Sequence, residues 1–87
     1  MMSGYSALNK LKVYVEQQES RGKAHRHEGK CYFFTGYLDP GAKKSLEING
    51  TIKRVGNREE LSKRGIELPN NFDLRRIFFE VDTELLQ

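Results

Sequence analysis

Apolar residues recur with helical spacing near the N-terminus. Leu8, Leu11 and Val15 are three and four positions apart, so a helix would place them on one face. Gly22 follows the last turn that this spacing supports, which is where a helix commonly ends. The pattern therefore predicts a helix near residues 6–20.

A run of apolar and aromatic positions occupies residues 31–38 and predicts a strand. Alternation places Tyr32 and Phe34 on one face of this strand and Cys31 and Phe33 on the other. Both faces therefore need cover. A single helical layer covers only one face, so the other should meet the C-terminal segment, a second copy of the chain or a partner protein.

The segments on either side of this strand differ in character. Residues 21–30 contain no large apolar side chain and two glycines, which predicts a basic loop or an irregular hairpin arm. Residues 39–41 read Asp-Pro-Gly, which is typical of a turn.

Residues 43–55 fit two structures, and the pattern favours a β-hairpin. Its strands would be residues 45–48 and 51–55. Asn49 and Gly50 would join them, because this pair tolerates the positive φ angles of a type I′ turn.

The alternative for the same segment is a helix. Asp39 would cap it, Pro40 would occupy the first turn and Gly50 would end it. The spacing of Leu46 and Ile48 does not fit one helical face, which is why the hairpin is favoured.

A short helix is predicted between residues 57 and 66. Asn57 is a good N-cap, and Glu60 has the spacing of a capping-box partner. Gly65 can close the helix, with Ile66 contacting Leu61.

The C-terminal part is again ambiguous. After a loop predicted at residues 69–71, Ile77, Phe79 and Val81 alternate as in a strand. A helix over residues 74–86 would instead align Leu74, Ile77, Phe78, Val81 and Leu85. The cluster of aromatic and β-branched residues favours the strand.

These elements predict one small α+β domain over residues 1–87. It comprises an N-terminal helix, an antiparallel β-meander of three to four strands, and a short helix before the last strand. Eighty-seven residues with nine aromatic side chains supply one core. They leave little volume for a deep substrate cavity, so we expect no enzyme.

The net charge of +3 is unevenly distributed. Residues 1–30 carry six Lys or Arg against three Asp or Glu, and residues 31–64 carry seven against four. Residues 65–87 carry two against five. The acidic end either neutralises the basic surface or lies at the opposite pole, which would leave a basic side able to attract a polyanion.

The candidate binding residues belong to the basic segment and the strand that follows it. They are Arg21, Lys23, His25, Arg26, His27, Lys30, Tyr32 and Phe34. Cations bind phosphates while aromatic rings stack on bases, so this combination is typical of single-stranded nucleic-acid binding. The same residues are candidates for contact with a protein partner.

Residues 30–37 are similar to the aromatic octamer of the RNA-recognition motif. They match it at Lys30, Tyr32, Phe34 and Tyr37. Residues 13–15 likewise resemble the shorter motif of that family. The RNA-recognition fold needs a helix and a strand between its two motifs, and residues 16–29 are too few for both. We therefore assign no residue role from this family.

Candidate catalytic and metal-binding chemistry is sparse. His25, His27 and Cys31 are of the types that bind zinc, but a four-ligand site would also need a carboxylate such as Glu28. No nucleophile, base and orienting residue are found together. We expect no catalytic residue, no metal and no cofactor.

The sequence favours a small non-enzymatic binding or regulatory protein that acts through protein contacts. We expect a larger protein or nucleoprotein complex as its partner, a homodimer, and a cytoplasmic location without membrane association. Its size is compatible with a viral or mobile-element accessory factor that acts on nucleic-acid machinery. Direct nucleic-acid binding is the alternative.

Overall fold

The fold is given by a computed structural model that describes residues 3–69 and 76–87. Its elements are α1 (Ser3–Ser20), β1 (Ala24–His27), β2 (Lys30–Phe34), α2 (Pro40–Ile48), β3 (Lys53–Gly56), α3 (Arg58–Lys63), β4 (Phe78–Asp82) and a final 3₁₀-helix (Thr83–Leu86). The predicted α+β class is confirmed: an N-terminal helix, an antiparallel sheet, and a short helix before the last strand.

The strands that the structure describes form one antiparallel sheet in the order β1-β2-β4-β3. β1 and β2 are joined by Glu28 and Gly29, whose φ angles of 47° and 81° are those of a type I′ turn. Of the two predictions for residues 21–30, the hairpin arm is therefore the correct one. β4 lies between β2 and β3, with Tyr32 opposite Glu80 on one side and Lys53 opposite Glu80 on the other.

The favoured hairpin over residues 43–55 is wrong, and its helical alternative is observed as α2. The Asp39 carboxylate accepts a hydrogen bond from the Ala42 backbone N–H at 2.9 Å. Leu38, Ala42 and Leu46 are spaced four residues apart and are all buried. Ala42 and Leu46, rather than Leu46 with Ile48, form the apolar face of the helix, Leu38 extends this face beyond the cap, and Ile48 is 76% exposed.

Asn49 and Gly50 end α2 instead of turning a hairpin. Gly50 has a φ of 79°, which only glycine adopts without steric strain. The Thr51 N–H donates to the Leu46 carbonyl at 2.9 Å, and the Gly50 N–H donates to the Glu47 carbonyl at 3.2 Å. This pair of bonds is a Schellman motif. The Asn-Gly sequence is therefore compatible with a hairpin turn and with a helix end, and the burial of Leu46 favours the helix end.

The main core lies between α1, α2 and the inner face of the sheet, defined by Cys31, Phe33, Phe79 and Val81. These side chains are between 0% and 5% exposed. The helices contribute Ala7, Leu11, Tyr14, Val15, Ala42 and Leu46 to the same cluster. The predicted helical stripe on α1 thus packs on one side of β2.

The outer face of the sheet, defined by Tyr32, Phe34, Phe78 and Glu80, is covered by a third layer. Leu61 of α3, together with Ile66 and Leu68, packs on Tyr32 and Phe78. The Arg58 guanidinium donates to the Leu68 carbonyl at 3.0 Å and holds this segment in place. The chain therefore supplies its own cover for the second face of β2.

The predicted short helix is confirmed as α3. The Asn57 side chain accepts from the Glu60 N–H, and the Glu60 carboxylate accepts from the Asn57 N–H, both at 3.0 Å. These reciprocal bonds form the capping box. The Ile66 N–H donates to the Leu61 carbonyl at 3.0 Å, which closes the helix as expected.

The C-terminal strand is also confirmed, as β4. The predicted loop at residues 69–71 falls mostly outside the described residues, as does Leu74 of the helical alternative. Within residues 3–69 and 76–87, no helix has the length and apolar character needed to cross a bilayer.

We predict that Asp39→Ala lowers the free energy of unfolding by about 1 kcal/mol, because it removes the cap of α2. Asp39→Asn should retain most of the stability, since an amide oxygen also caps. Thermal or urea unfolding of both variants measures the difference. Equal stability of the alanine variant and the parent chain would contradict a helix that begins at this residue.

Candidate functional site

Opposite ends of the sheet differ in charge. At the end that carries the β1–β2 turn, the Lys30 ammonium lies 2.6 Å from the Asp82 carboxylate. This contact raises the pKa of Lys30 and lowers that of Asp82. Thr83 donates to the Gly29 carbonyl through its backbone N–H and its hydroxyl. The acidic C-terminus thus packs on this end and neutralises Lys30.

The other end of the sheet gathers cations, and we call it the basic end. Among residues 3–69 and 76–87, the charged side chains that line its two adjoining cavities are Arg21, Lys23, Lys43, Arg54 and Arg76, together with one acid, Glu47. Lys43 lies 3.7 Å from Glu47 and 5.3 Å from the centre of the Phe79 ring. Because the acidic C-terminus packs on the opposite end of the sheet, it does not neutralise these cations, and this end is a basic pole.

Two aromatic rings and a guanidinium form the centre of the basic end. The guanidinium carbon of Arg76 lies 4.3 Å from the centre of the Phe34 ring. The Tyr37 ring packs edge-on against the Phe34 ring, with centroids 6.0 Å apart and planes at 68°. Gly36 leaves room for this arrangement, because a Cβ atom there would lie 3.2 Å from Arg76 Nη1. Tyr37 is 71% exposed, so its ring is open to solvent.

Tyr14 of α1 fixes the loop that carries these rings. Its hydroxyl donates to the Phe34 carbonyl, and its ring packs edge-on against Phe33 with centroids 6.3 Å apart. Burial raises the pKa of Tyr14, whereas a hydrogen bond from the Tyr37 backbone and the charge of Arg76 oppose this rise. The loop from Phe34 to Tyr37 is thus tied to α1.

Two cavities open on either side of the Phe34–Arg76 pair. One has a volume of about 510 Å³, includes Lys43, Glu47 and Arg54 in its lining, and is called the Lys43 cavity. The other has a volume of about 300 Å³, is lined by Gln18, Arg21 and Tyr37 among others, and is called the Gln18 cavity. Both reach the range of about 300 to 1,000 Å³ that is usual for small-ligand sites.

The sequence-predicted candidates do not form one site. Arg21, Lys23 and Phe34 lie at the basic end. Arg26 points to the inner side of the sheet, where its Nε atom lies 2.5 Å from the Glu19 carboxylate of α1. Lys30 is at the opposite end with Asp82.

The remaining candidates lie on the outer face. His25 and His27 alternate with Arg26 along β1, and their rings stack with centroids 6.4 Å apart. Burial and the neighbouring His27 lower the pKa of His25. Tyr32 is only 3% exposed, packs beneath Leu61 and lines neither cavity, so it is a core residue and is not available for stacking on a base.

Sequence reasoning missed the residues that complete the basic end. Tyr37 was assigned to the strand, whereas β2 ends at Phe34 and leaves Tyr37 in a loop. Lys43, Arg54 and Arg76 are far from the basic segment along the chain. These three residues reach Phe34 only because residues 40–48 form helix α2 and because β4 lies beside β2 in the sheet.

The candidate zinc ligands also separate. His25 and His27 lie on the outer face, whereas Cys31 lies on the inner face opposite Arg26. Across the described segments, no three His, Cys, Asp or Glu side chains are grouped so that they could hold a metal ion. Cys31 is fully buried, and its burial, with a smaller effect of Glu19, raises its pKa to about 12.

We predict that Cys31 is unreactive toward a thiol reagent in the folded protein. At about pH 8, a pKa of about 12 leaves roughly one thiol in 10,000 ionised, and the sulfur is also shielded from solvent. Reaction with Ellman's reagent should be at least about 100-fold faster in concentrated guanidinium chloride. Rapid stoichiometric labelling of the native protein would contradict the burial.

Comparisons with known proteins add no family to this geometry. The chain matches no protein-family model, no curated protein and no solved structure at a significant level.

Proposed function

We propose that this chain is a non-enzymatic module that binds single-stranded nucleic acid through its basic end. The observation that carries the proposal is the 71%-exposed Tyr37 ring beside the Phe34–Arg76 pair, where cations from four parts of the chain line the two adjoining cavities. Those cations come from the end of α1, from α2, from β3 and from the residues before β4.

The chemistry of this surface fits an unpaired strand. A nucleobase presents an aromatic face to Tyr37, and base–aromatic stacking contributes about 1 to 3 kcal/mol per base. Arginine and lysine at both cavities bind the phosphates that flank each base. A duplex keeps its bases stacked on one another, so a solvent-exposed ring favours a single strand.

The charge distribution also supports this function. A polyanion is attracted to the pole where Arg21 and Arg54 are exposed, and is repelled from the end that carries Asp82 and Glu84. This uneven charge orients the domain so that its basic end approaches the nucleic-acid strand first. Arg26, in its ion pair with Glu19, stabilises the position of β1 against α1 instead.

We predict salt-dependent binding of a labelled single-stranded oligonucleotide of about twelve nucleotides. Replacing two cations, as in Arg21→Gln with Arg54→Gln, should weaken binding and reduce the slope of log K against log salt by about 1.4. Fluorescence anisotropy at several salt concentrations measures both effects.

The matched control is Lys12→Gln with Lys63→Gln, which removes the same charge from surfaces away from the basic end. The control should leave the slope within about 0.3 of the parent value. Equal losses in both double variants would mean that binding depends only on net charge, and absence of binding at low salt would refute the proposal.

The hypothesis of function through protein contacts has less support from the fold. It was based on an uncovered face of β2, and that face is covered by Leu61, Ile66 and Leu68. The other exposed large hydrophobic side chains in the described ranges, Val13, Ile48 and Leu85, lie on three different elements. Exposed hydrophobic residues on different elements are common on monomeric proteins and do not by themselves indicate an interface.

We therefore predict a monomer at about 100 μM in light scattering, in place of the expected homodimer. The edge strands add to this expectation, because β1 and β3 have only four residues each and β3 carries the exposed, charged Lys53. A mass of two chains would restore the dimer hypothesis and, with it, function through protein contacts.

A further inference from the structure

The Gln18 cavity differs from the rest of the basic end because a buried glutamine is among its lining residues. Gln18 is 3% exposed, although it belongs to the last turns of α1. The cavity of about 300 Å³ also includes Phe34, Tyr37 and Arg76 in its lining, with Arg21 and Lys23 beside them. It thus combines aromatic walls, one neutral polar group and cations.

We propose that the Gln18 cavity takes one unpaired nucleobase, whose ring stacks on Tyr37 and whose edge hydrogen-bonds to the Gln18 amide. This inference depends on the proposed nucleic-acid binding and specifies how that site reads its ligand. A glutamine amide offers both donors and an acceptor, which is the set that a base edge requires.

The end of α1 fixes the residues around this cavity. The Gln18 carbonyl accepts hydrogen bonds from the backbone N–H groups of Arg21 at 3.1 Å and Lys23 at 2.7 Å. These bonds turn the chain so that both cations line the same cavity as Gln18. A base in the cavity would therefore have cations near its own phosphate.

Tyr14 links the two walls of the cavity. It precedes Gln18 by one helical turn, and its hydroxyl donates to the carbonyl of Phe34, the last residue of β2 before the loop that carries Tyr37. Gln18 and Tyr37 are thus positioned by one helix and by the loop bound to it. This supports a preformed pocket, which lowers the entropic cost of binding.

The proposed occupant is a base within a nucleic-acid strand, because cations also line the neighbouring cavity. Lys43 and Arg54 line the neighbouring cavity on the other side of Phe34 and Arg76. Phosphates on either side of a bound base have cations available at both cavities. A neutral apolar ligand would gain nothing from this arrangement.

The first test compares an oligonucleotide of thymidines with an abasic oligonucleotide of the same length, which keeps the phosphates and lacks the bases. We expect the abasic strand to bind about 5- to 100-fold more weakly. Tyr37→Leu should weaken binding of the thymidine strand by a similar factor, whereas Tyr37→Phe should retain it, because phenylalanine still stacks.

The second test uses the four homopolymeric strands with Gln18→Met, which preserves the length of the side chain and removes its hydrogen bonds. The parent chain should prefer one base by about fivefold or more, and the variant should reduce this preference to about twofold. Circular dichroism of the variant checks that α1 is intact.

The outcomes separate this inference from the proposed function. If no strand binds at low salt, both fail. If the abasic strand binds as tightly as the thymidine strand, or if the ranking of bases survives Gln18→Met, the base pocket is refuted while electrostatic strand binding stands. Displacement of the strand by an equal or lower concentration of free nucleoside monophosphate would identify a nucleotide pocket and also overturn the inference.

Discussion

The rest of the structure depends on the burial of both faces of β2. Phe33 on the inner face is inaccessible to solvent and Tyr32 on the outer face is nearly so, although they are neighbours in the chain. A strand of this kind needs apolar layers on both sides. The helices α1 and α2 provide one layer, and α3 with the segment after it provides the other. In a chain this small, satisfying that requirement uses most of the large apolar side chains.

The sequence predicts those parts of the fold in which local and tertiary preferences agree. The capping residues Asn57 and Glu60 specify α3 through hydrogen bonds between residues only three positions apart, so the local sequence is enough to locate this helix. Asn49 and Gly50 are different, because their preferred turn is compatible with a hairpin and with a helix end. The choice is made by Leu46, which is buried against residues that are distant along the chain.

The candidate site was harder to predict because it is assembled from separated segments. Local charge density pointed to residues 21–30, and this segment was expected to act as one unit. A β-strand sends alternate side chains to opposite faces, so Arg26 and His25 diverge as soon as β1 forms. Arg54 and Arg76 reach Phe34 only through the pairing of β4 with β2 and β3. That pairing is non-local and leaves no short-range pattern in the sequence.

Because α1, α2 and α3 end in Schellman motifs, the backbone caps them, and the side chains at these positions are left for surface contacts. At the ends of α1, α2 and α3, backbone amides satisfy the last carbonyls. The side chains at these positions are therefore not required to cap anything. Arg21 is exposed at one such end, beside the Gln18 cavity. Except at Gly22, Gly50 and Gly65, whose φ angles are positive, substitutions there alter the surface at little cost to folding, so the ends of the helices are the places where surface chemistry can diverge most freely.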